Sequence, residues 1–192
     1  MSAWIKMVSD EDANPELRET LALARTPHGT VDNVMRVHSL RPSTMRGHFI
    51  LYQAALHDDT NTLPPWLQET ISSYVSILNE CEYSLANHWT NARYLINDET
   101  RADAVIAALK GRRPSHAFSG RELALLEYAE KLTLTPGHMR QSDLQTLRSA
   151  GCDDGEILEA NQIVGYFNYV NRLINGLGVT TVGDVVGYYK KI

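Results

Sequence analysis

Between residues 63 and 78, apolar side chains return at helical spacing for about four turns: Leu63, Trp66, Leu67, Ile71, Tyr74, Val75 and Leu78. A run with this period does not fit a half-buried strand, whose side chains alternate between two faces. It also constrains what surrounds it, because so long an apolar stripe must be covered by other elements.

The rest of the chain offers helices to cover it. Asn14 followed by Pro15 reads as an N-cap with proline at the first helical position, and Leu17, Leu21 and Ala24 then share a face up to Pro27-His28-Gly29. A short helix is expected over 31–40, ending before Pro42. Met45, Phe49, Tyr52 and Leu56 form the next stripe, followed by the polar loop 57–61. After a break at Asn79-Glu80 a helix is expected over 81–96, and Ala102, Val105, Ile106 and Leu109 mark another that Gly111 ends. The stretch 111–117 is the best linker candidate. Ser119 with Glu122, and Ser142 with Gln145, read as capping boxes, and Gly151 as the residue that closes the second of these helices. A last long helix is expected over 154–175, ended by Gly176 and Gly178. The tail alternates weakly and is expected to pack as irregular chain or to exchange with a partner subunit.

The sequence therefore predicts an all-α helical bundle, with one domain over 1–192. Its N-terminal helices span about 14–57, a central pair about 63–96, C-terminal helices about 99–175 and a tail 176–192. A chain of 192 residues with 43% apolar side chains is long enough to bury a real core.

Charge excludes some classes of partner. The net charge is −5, and the only basic clusters are Lys110, Arg112 and Arg113, and Lys190 with Lys191. Nucleic-acid binding draws on a basic stripe that is missing here. No apolar stretch reaches the roughly 20 residues that span a bilayer, and the acidic N-terminus lacks the apolar segment of a leader. Two cysteines make no disulfide framework, so the cytoplasm is the expected location.

The candidate chemistry lies where the two central helices meet, in the text Glu69, then eleven residues, then Cys81-Glu82-Tyr83-Ser84-Leu85-Ala86-Asn87-His88. Cys81 is expected in the first turn of its helix, where unpaired N–H groups and the helix dipole favour an anion and lower a thiol pKa. Ser84 and His88 follow at three and seven residues, on the same face. A histidine there can exchange protons with a thiol, a peroxide oxygen or a bound water. Glu69 falls off the apolar stripe of the preceding helix and reaches this face if the two helices pack antiparallel. By spacing alone, Cys81 as a small buried hydrophobe and His88 as a satisfied interior histidine stay open.

The same text resembles the alkylhydroperoxidase D / carboxymuconolactone decarboxylase superfamily, in particular its peroxidase-related members. Their redox branch carries a glutamate, then eleven residues, then Cys-x-x-Cys-x-x-x-His. Glu69, Cys81 and His88 match three of these four positions. The Leu63-Pro64-Pro65 entry is also similar, as are Phe167-Asn168-Tyr169-Val170-Asn171-Arg172-Leu173 and Gly176-Leu177-Gly178, so the resemblance covers about 40–180. It implies an alkylhydroperoxidase D-like bundle, a peroxide or acid substrate, an external thiol as reductant, and a homo-oligomer. The departure is Ser84, which stands where the redox branch has its second cysteine and cannot close a disulfide. Cys152, in a Gly-Cys-Asp-Asp-Gly loop, is no obvious replacement.

Three functions follow from these residues. The first, favoured by the resemblance, is a one-cysteine peroxidase: the Cys81 thiolate attacks a peroxide and becomes a sulfenic acid, which an external thiol reduces. His88 then handles the proton, Glu69 orients His88, and Ser84 donates a hydrogen bond to the thiolate. The second is acid–base chemistry by Glu69 and His88 without a cysteine nucleophile, as in the decarboxylase branch. The third is a non-catalytic scaffold that binds a small molecule or a partner through aromatics such as Tyr83, Trp89, Tyr166 and Tyr169. No metal or cofactor is expected. His28, His38, His48, His57, His116 and His138 form no close pair with another His or Cys, which leaves only a site built on His88 and Glu69 open. No glycine-rich phosphate loop precedes a helix.

Overall fold

The computed structural model describes residues 2–189, so the terminal pair Lys190 and Lys191 lies outside the described residues. The helices are α1 (Pro15–Leu23), α2 (Asn33–Arg36), α3 (Pro42–Leu56), α4 (Pro65–Leu78), α5 (Glu82–Ile96), α6 (Glu99–Lys110), α7 (Gly120–Leu134), α8 (Gln141–Ser149) and α9 (Asp154–Leu177). Among the described residues there is no strand, and the fold is all-α. Among the described residues no helix is long and apolar enough to cross a membrane.

Helix α4 is the axis of the bundle. It packs most extensively against α5 and also touches α6, α7 and α9. The stripe seen in its sequence understates this, because residues 67–76 are all buried, polar ones included. Ser72, Ser73 and Ser76 survive there by donating their hydroxyls to the carbonyls of Gln68, Glu69 and Ser72, one turn back, at 2.7–2.8 Å. That leaves no orphaned hydroxyl inside the helix pack. Tyr74 and Phe167, both fully buried, belong to the main core. A smaller core of Leu17, Leu21, Met35 and Met45 joins α1, α2 and α3.

A three-residue turn reverses the chain between α4 and α5. Glu80 takes a left-handed conformation (φ 53°) and the Cys81 N–H bonds back to the Ser76 carbonyl at 2.9 Å. Helix α5 then runs back along α4, as the site reading required.

Several local expectations change. Asn14 caps α1 through the Leu17 N–H at 2.8 Å, as read. The 31–40 helix shrinks to the four residues of α2. Ser119 is the N-cap of α7 but makes no side-chain cap bond. Helix α8 begins two residues earlier than the Ser142 box would place it, and the Asp143 carboxylate accepts from the Arg140 N–H at 2.7 Å instead. Gly151, at φ 96°, does close α8. The stretch 111–117 is no free linker: a 3-10 turn at Pro114–His116 packs on α6 and α7, with Pro114 and Phe118 buried.

The tail packs on its own chain. Gly178 ends α9 at φ 60° beneath the Trp4 ring, so close that a Cβ there would stand 2.2 Å from it. Trp4 and Thr180 then tie the N-terminal segment to the tail through N–H bonds to Leu177 O (2.8 Å) and Ser2 O (2.9 Å). Beyond them the chain crosses α2 and α5, where Asp184 accepts from the Asn33 N–H and Tyr188 donates its N–H to the Asn91 side chain.

Candidate active site

The hairpin of α4 and α5 brings Glu69 and His88 together. Glu69 is 1% exposed, and its Oε2 lies 2.6 Å from His88 Nδ1. Its other oxygen accepts from Asn91 Nδ2 at 3.1 Å, so both carboxylate oxygens have donors. A carboxylate in this place fixes the tautomer: Nδ1 carries hydrogen, and Nε2 is the ring's free nitrogen. The His88 ring stands edge-on to Phe167 at 4.6 Å between centroids, which holds its plane.

His88 and Asn91 line a cavity of about 90 Å³ that also meets Ser84, Tyr52, Tyr166 and Val170. The α1–α2 loop, α2 and the tail complete the wall, with His28, Asp32, Tyr83 and Gly187 among its residues. A space of this size holds on the order of six waters, or a ligand of comparable bulk.

Cys81 departs from the sequence reading. It is the N-cap of α5, one position before the first turn. It is 1% exposed and is not part of the cavity wall. Burial pushes its thiol above the ordinary cysteine value. The Ser84 N–H and hydroxyl and the Tyr83 N–H pull the other way and are outweighed. The helix start therefore does not lower this pKa as its position suggested; desolvation wins. Ser84, the residue in place of a second cysteine, is buried and faces the cavity. Cys152 is buried at the turn between α8 and α9, its thiol also pushed up chiefly by burial, and neither cysteine is in a disulfide.

The histidines that looked scattered are partly gathered. His38 Nε2 and His48 Nδ1 are 3.0 Å apart, and His48 Nε2 lies 2.8 Å from the Tyr166 hydroxyl. Thr44 donates its hydroxyl to Arg41 O (2.8 Å), so it accepts from His38 Nδ1–H (2.9 Å). The remaining protons follow: His48 donates to His38, and Tyr166 donates to His48, with both rings neutral. Burial favours that state, pushing the His38 pKa down and that of His48 to about 3. Among the described residues no group of three or more His, Cys, Asp or Glu is placed to hold a metal ion.

Asp32, which sequence reasoning missed, is a half-buried acid that also lines the cavity. Burial, then the charge of Asp184, push its pKa up to about 7 against a smaller opposing effect of His28. Its Oδ1 is buried and has no hydrogen-bond partner among the described residues.

Solved structures share this architecture. The chain superposes on the alkylhydroperoxidase AhpD core of an uncharacterized peroxidase-related protein from Ralstonia eutropha JMP134 with a TM-score of 0.81 at 21% identity, covering 94% of this chain and 93% of that one. An uncharacterized peroxidase-related protein from Silicibacter sp. TM1040 matches with a TM-score of 0.81 at 20% identity, over 99% and 95% of the two chains. The debrominase Bmp8, in a cysteine-to-alanine variant holding 2,3,4-tribromopyrrole, matches with a TM-score of 0.74 at 16% identity, over 94% and 92%. No family model matches the sequence, and no curated protein is significantly similar to it. The chain therefore has the alkylhydroperoxidase D-like fold, as the resemblance around Glu69, Cys81 and His88 implied.

Proposed function

We propose that the cavity is the active site of an enzyme that moves a proton on a small, largely apolar molecule, with His88 as acid–base group and Glu69 as the residue that positions it. The observation that carries this reading is the 2.6 Å Glu69–His88 contact in the wall of the cavity, in a chain whose Cys81 lies outside that wall. His88 Nε2 makes no hydrogen bond to the described residues, so its lone pair is available to a substrate proton. The Glu69 carboxylate stabilises the imidazolium that forms, and the ring returns the proton to another substrate atom. That Bmp8 binds a halogenated pyrrole in the same fold supports a small ring as occupant.

Peroxide reduction at Cys81 is the second reading. The Ser84 and Tyr83 groups that favour the thiolate support it, as do the peroxidase-related neighbours. Here sulfur attacks one peroxide oxygen, the O–O bond breaks, the leaving alkoxide takes a proton, and an external thiol reduces the sulfenic acid through a mixed disulfide. Exposed Ile50 on α3 with Leu158 and Tyr169 on α9 give a second copy of the chain apolar surface to cover, which supports the homo-oligomer; sedimentation velocity checks it.

Turnover of lactone acids, halopyrroles and organic peroxides with dithiothreitol, compared among variants, separates the readings. Under the acid–base reading His88→Ala lowers turnover by about 10²–10⁴-fold, and Cys81→Ala leaves it near the parent value. Loss of all activity in Cys81→Ala, with peroxide as the only substrate consumed, moves the assignment to the thiol.

A further inference from the structure

From 185 to 189 no backbone group of the tail is paired with another backbone group among the described residues, so its hydrogen bonds run to side chains. Two successive N–H groups land on asparagines one turn apart on α5. Gly187 donates to Asn87 Oδ1 at 3.2 Å, and Tyr188 donates to Asn91 Oδ1 at 2.6 Å. The approach is close: Gly187 sits at φ 94°, and a Cβ there would stand 2.8 Å from Thr90 Cγ2. On its other side the Gly187 carbonyl accepts from His28 Nε2 at 3.0 Å, and the Tyr188 ring stacks on His57 with centroids 4.4 Å apart. Gly187 and Tyr188 also line the cavity.

We infer that Asn91 is a positioning residue that couples the tail to the Glu69–His88 dyad, so that the dyad is fully set only while the tail is seated. This deepens the acid–base reading and rests on it for what the dyad does. The coupling lies in one amide. Asn91 is 2% exposed; its Nδ2 donates to Glu69 Oε1 at 3.1 Å while its Oδ1 accepts from Tyr188. A backbone N–H can only donate and a carboxylate can only accept, so the two partners fix which way the amide faces. The amide is planar, and holding its oxygen aims its nitrogen. Releasing Tyr188 leaves that oxygen buried without its donor, and the side chain turns or takes up water to satisfy it. Glu69 then keeps His88 as its remaining donor, and its carboxylate is free to rotate about that contact. A segment tied by three hydrogen bonds and no regular secondary structure belongs to the parts of a fold that open most readily. The movement that takes Gly187 and Tyr188 out of the cavity wall therefore also loosens the dyad, and closure restores both.

The test reads the tautomer of the neutral His88 ring from its nitrogen shifts, correlated to the carbon-bound ring hydrogens by NMR of the full chain, and it needs no substrate. Tyr188→Pro deletes the N–H that holds Asn91, beyond the last helix, where no helix depends on it. Asn91→Ala deletes the amide, and Asn91→Ser takes its place if the alanine variant folds poorly. Each is expected to lower the ratio of the Nδ1–H form to the Nε2–H form by roughly two- to tenfold, the factor that one ordinary hydrogen bond amounts to. Asn87→Ala cuts the Gly187 tether and leaves the Tyr188 one, and it is expected to keep the parent ratio. An unchanged ratio in Tyr188→Pro overturns the inference, whatever Asn91→Ala does, because the tail then only walls the cavity. An equal fall in Asn87→Ala overturns it too, since any loosening of the tail would then suffice without Asn91. The acid–base reading is decided separately: it falls if His88→Ala leaves turnover intact, whatever the tautomer ratios show.

Discussion

Between α4 and α5 a buried carboxylate, Glu69, is fully provided for; at the start of α2 a half-buried one, Asp32, is not. Glu69 has a donor on each oxygen, from His88 and from Asn91, and a Phe167 edge holds the histidine ring. Asp32 has a partnerless oxygen and another acid beside it. Both sites spend stability to desolvate an acid, but only the first recovers it within the protein. The difference teaches which acid the fold has prepared for work. A satisfied dyad is preorganised, with its geometry set before anything binds. An acceptor closed off without a donor is a local cost to stability.

The largest expected effect breaks the satisfied dyad. His88→Ala removes the donor on Glu69 Oε2 and leaves the carboxylate buried with Asn91 alone. Urea unfolding should show a loss of about 3 kcal/mol, the usual cost of orphaning a buried charge. Adding Glu69→Gln to this variant should recover part of that loss, since the uncompensated charge is then gone. A loss below about 0.5 kcal/mol would mean that water already serves Glu69, and the contrast between the two acids would disappear.

The next effect has the opposite sign. Asp32→Asn removes a charge that the fold does not satisfy and ends its repulsion with Asp184. Stability at pH 8 should rise by about 1 kcal/mol in urea unfolding. Destabilisation by the same substitution would show that Asp32 is held by a bound water or ion, and that the two acids are alike.

Why one acid was legible in the sequence and the other was not follows from chain distance. Glu69, Cys81, Ser84 and His88 lie on two consecutive helices joined by a three-residue turn, so helical period and a tight reversal suffice to place them together. Burial of Cys81 was not legible, because it depends on the packing of the bundle around α5 and not on position within the helix. Asp32 meets Asp184 across 152 positions of chain through the irregular tail, where no period operates. The His48–Tyr166 contact likewise joins α3 to α9, 118 residues apart. A partial cue existed for His48: it falls three residues after Met45 and four before Tyr52, on the apolar face of α3. The fold class was legible throughout, since stripes and stops mark nearly every helix. Its caps were less so, because α7 and α8 settled their first turns differently from the boxes at Ser119 and Ser142.

The smallest expected effect is on the slope of the stability profile between pH 4 and 6.5, where Asp32 and His48 act in opposite directions. The folded-state pKa of Asp32 is raised from 3.8 to about 7, so the native protein binds more protons than the unfolded chain in that window. Stability from this group is full below pH 4 and is lost as pH rises through about 7. His48 acts in reverse. Its folded-state pKa is lowered from 6.5 to about 3, so the unfolded chain binds the extra proton. Stability from His48 is full above pH 6.5 and is lost as pH falls toward 3. Each group alone gives a slope of at most about 1.4 kcal/mol per pH unit, and the two oppose each other. Relative to the parent, Asp32→Asn should therefore make stability climb more with pH across the window, and His48→Gln should make it climb less. Equilibrium unfolding of the three proteins at four pH values checks both signs. Parallel profiles in all three would show that neither group titrates away from its unfolded value, and the unsatisfied acid would lose its distinguishing charge.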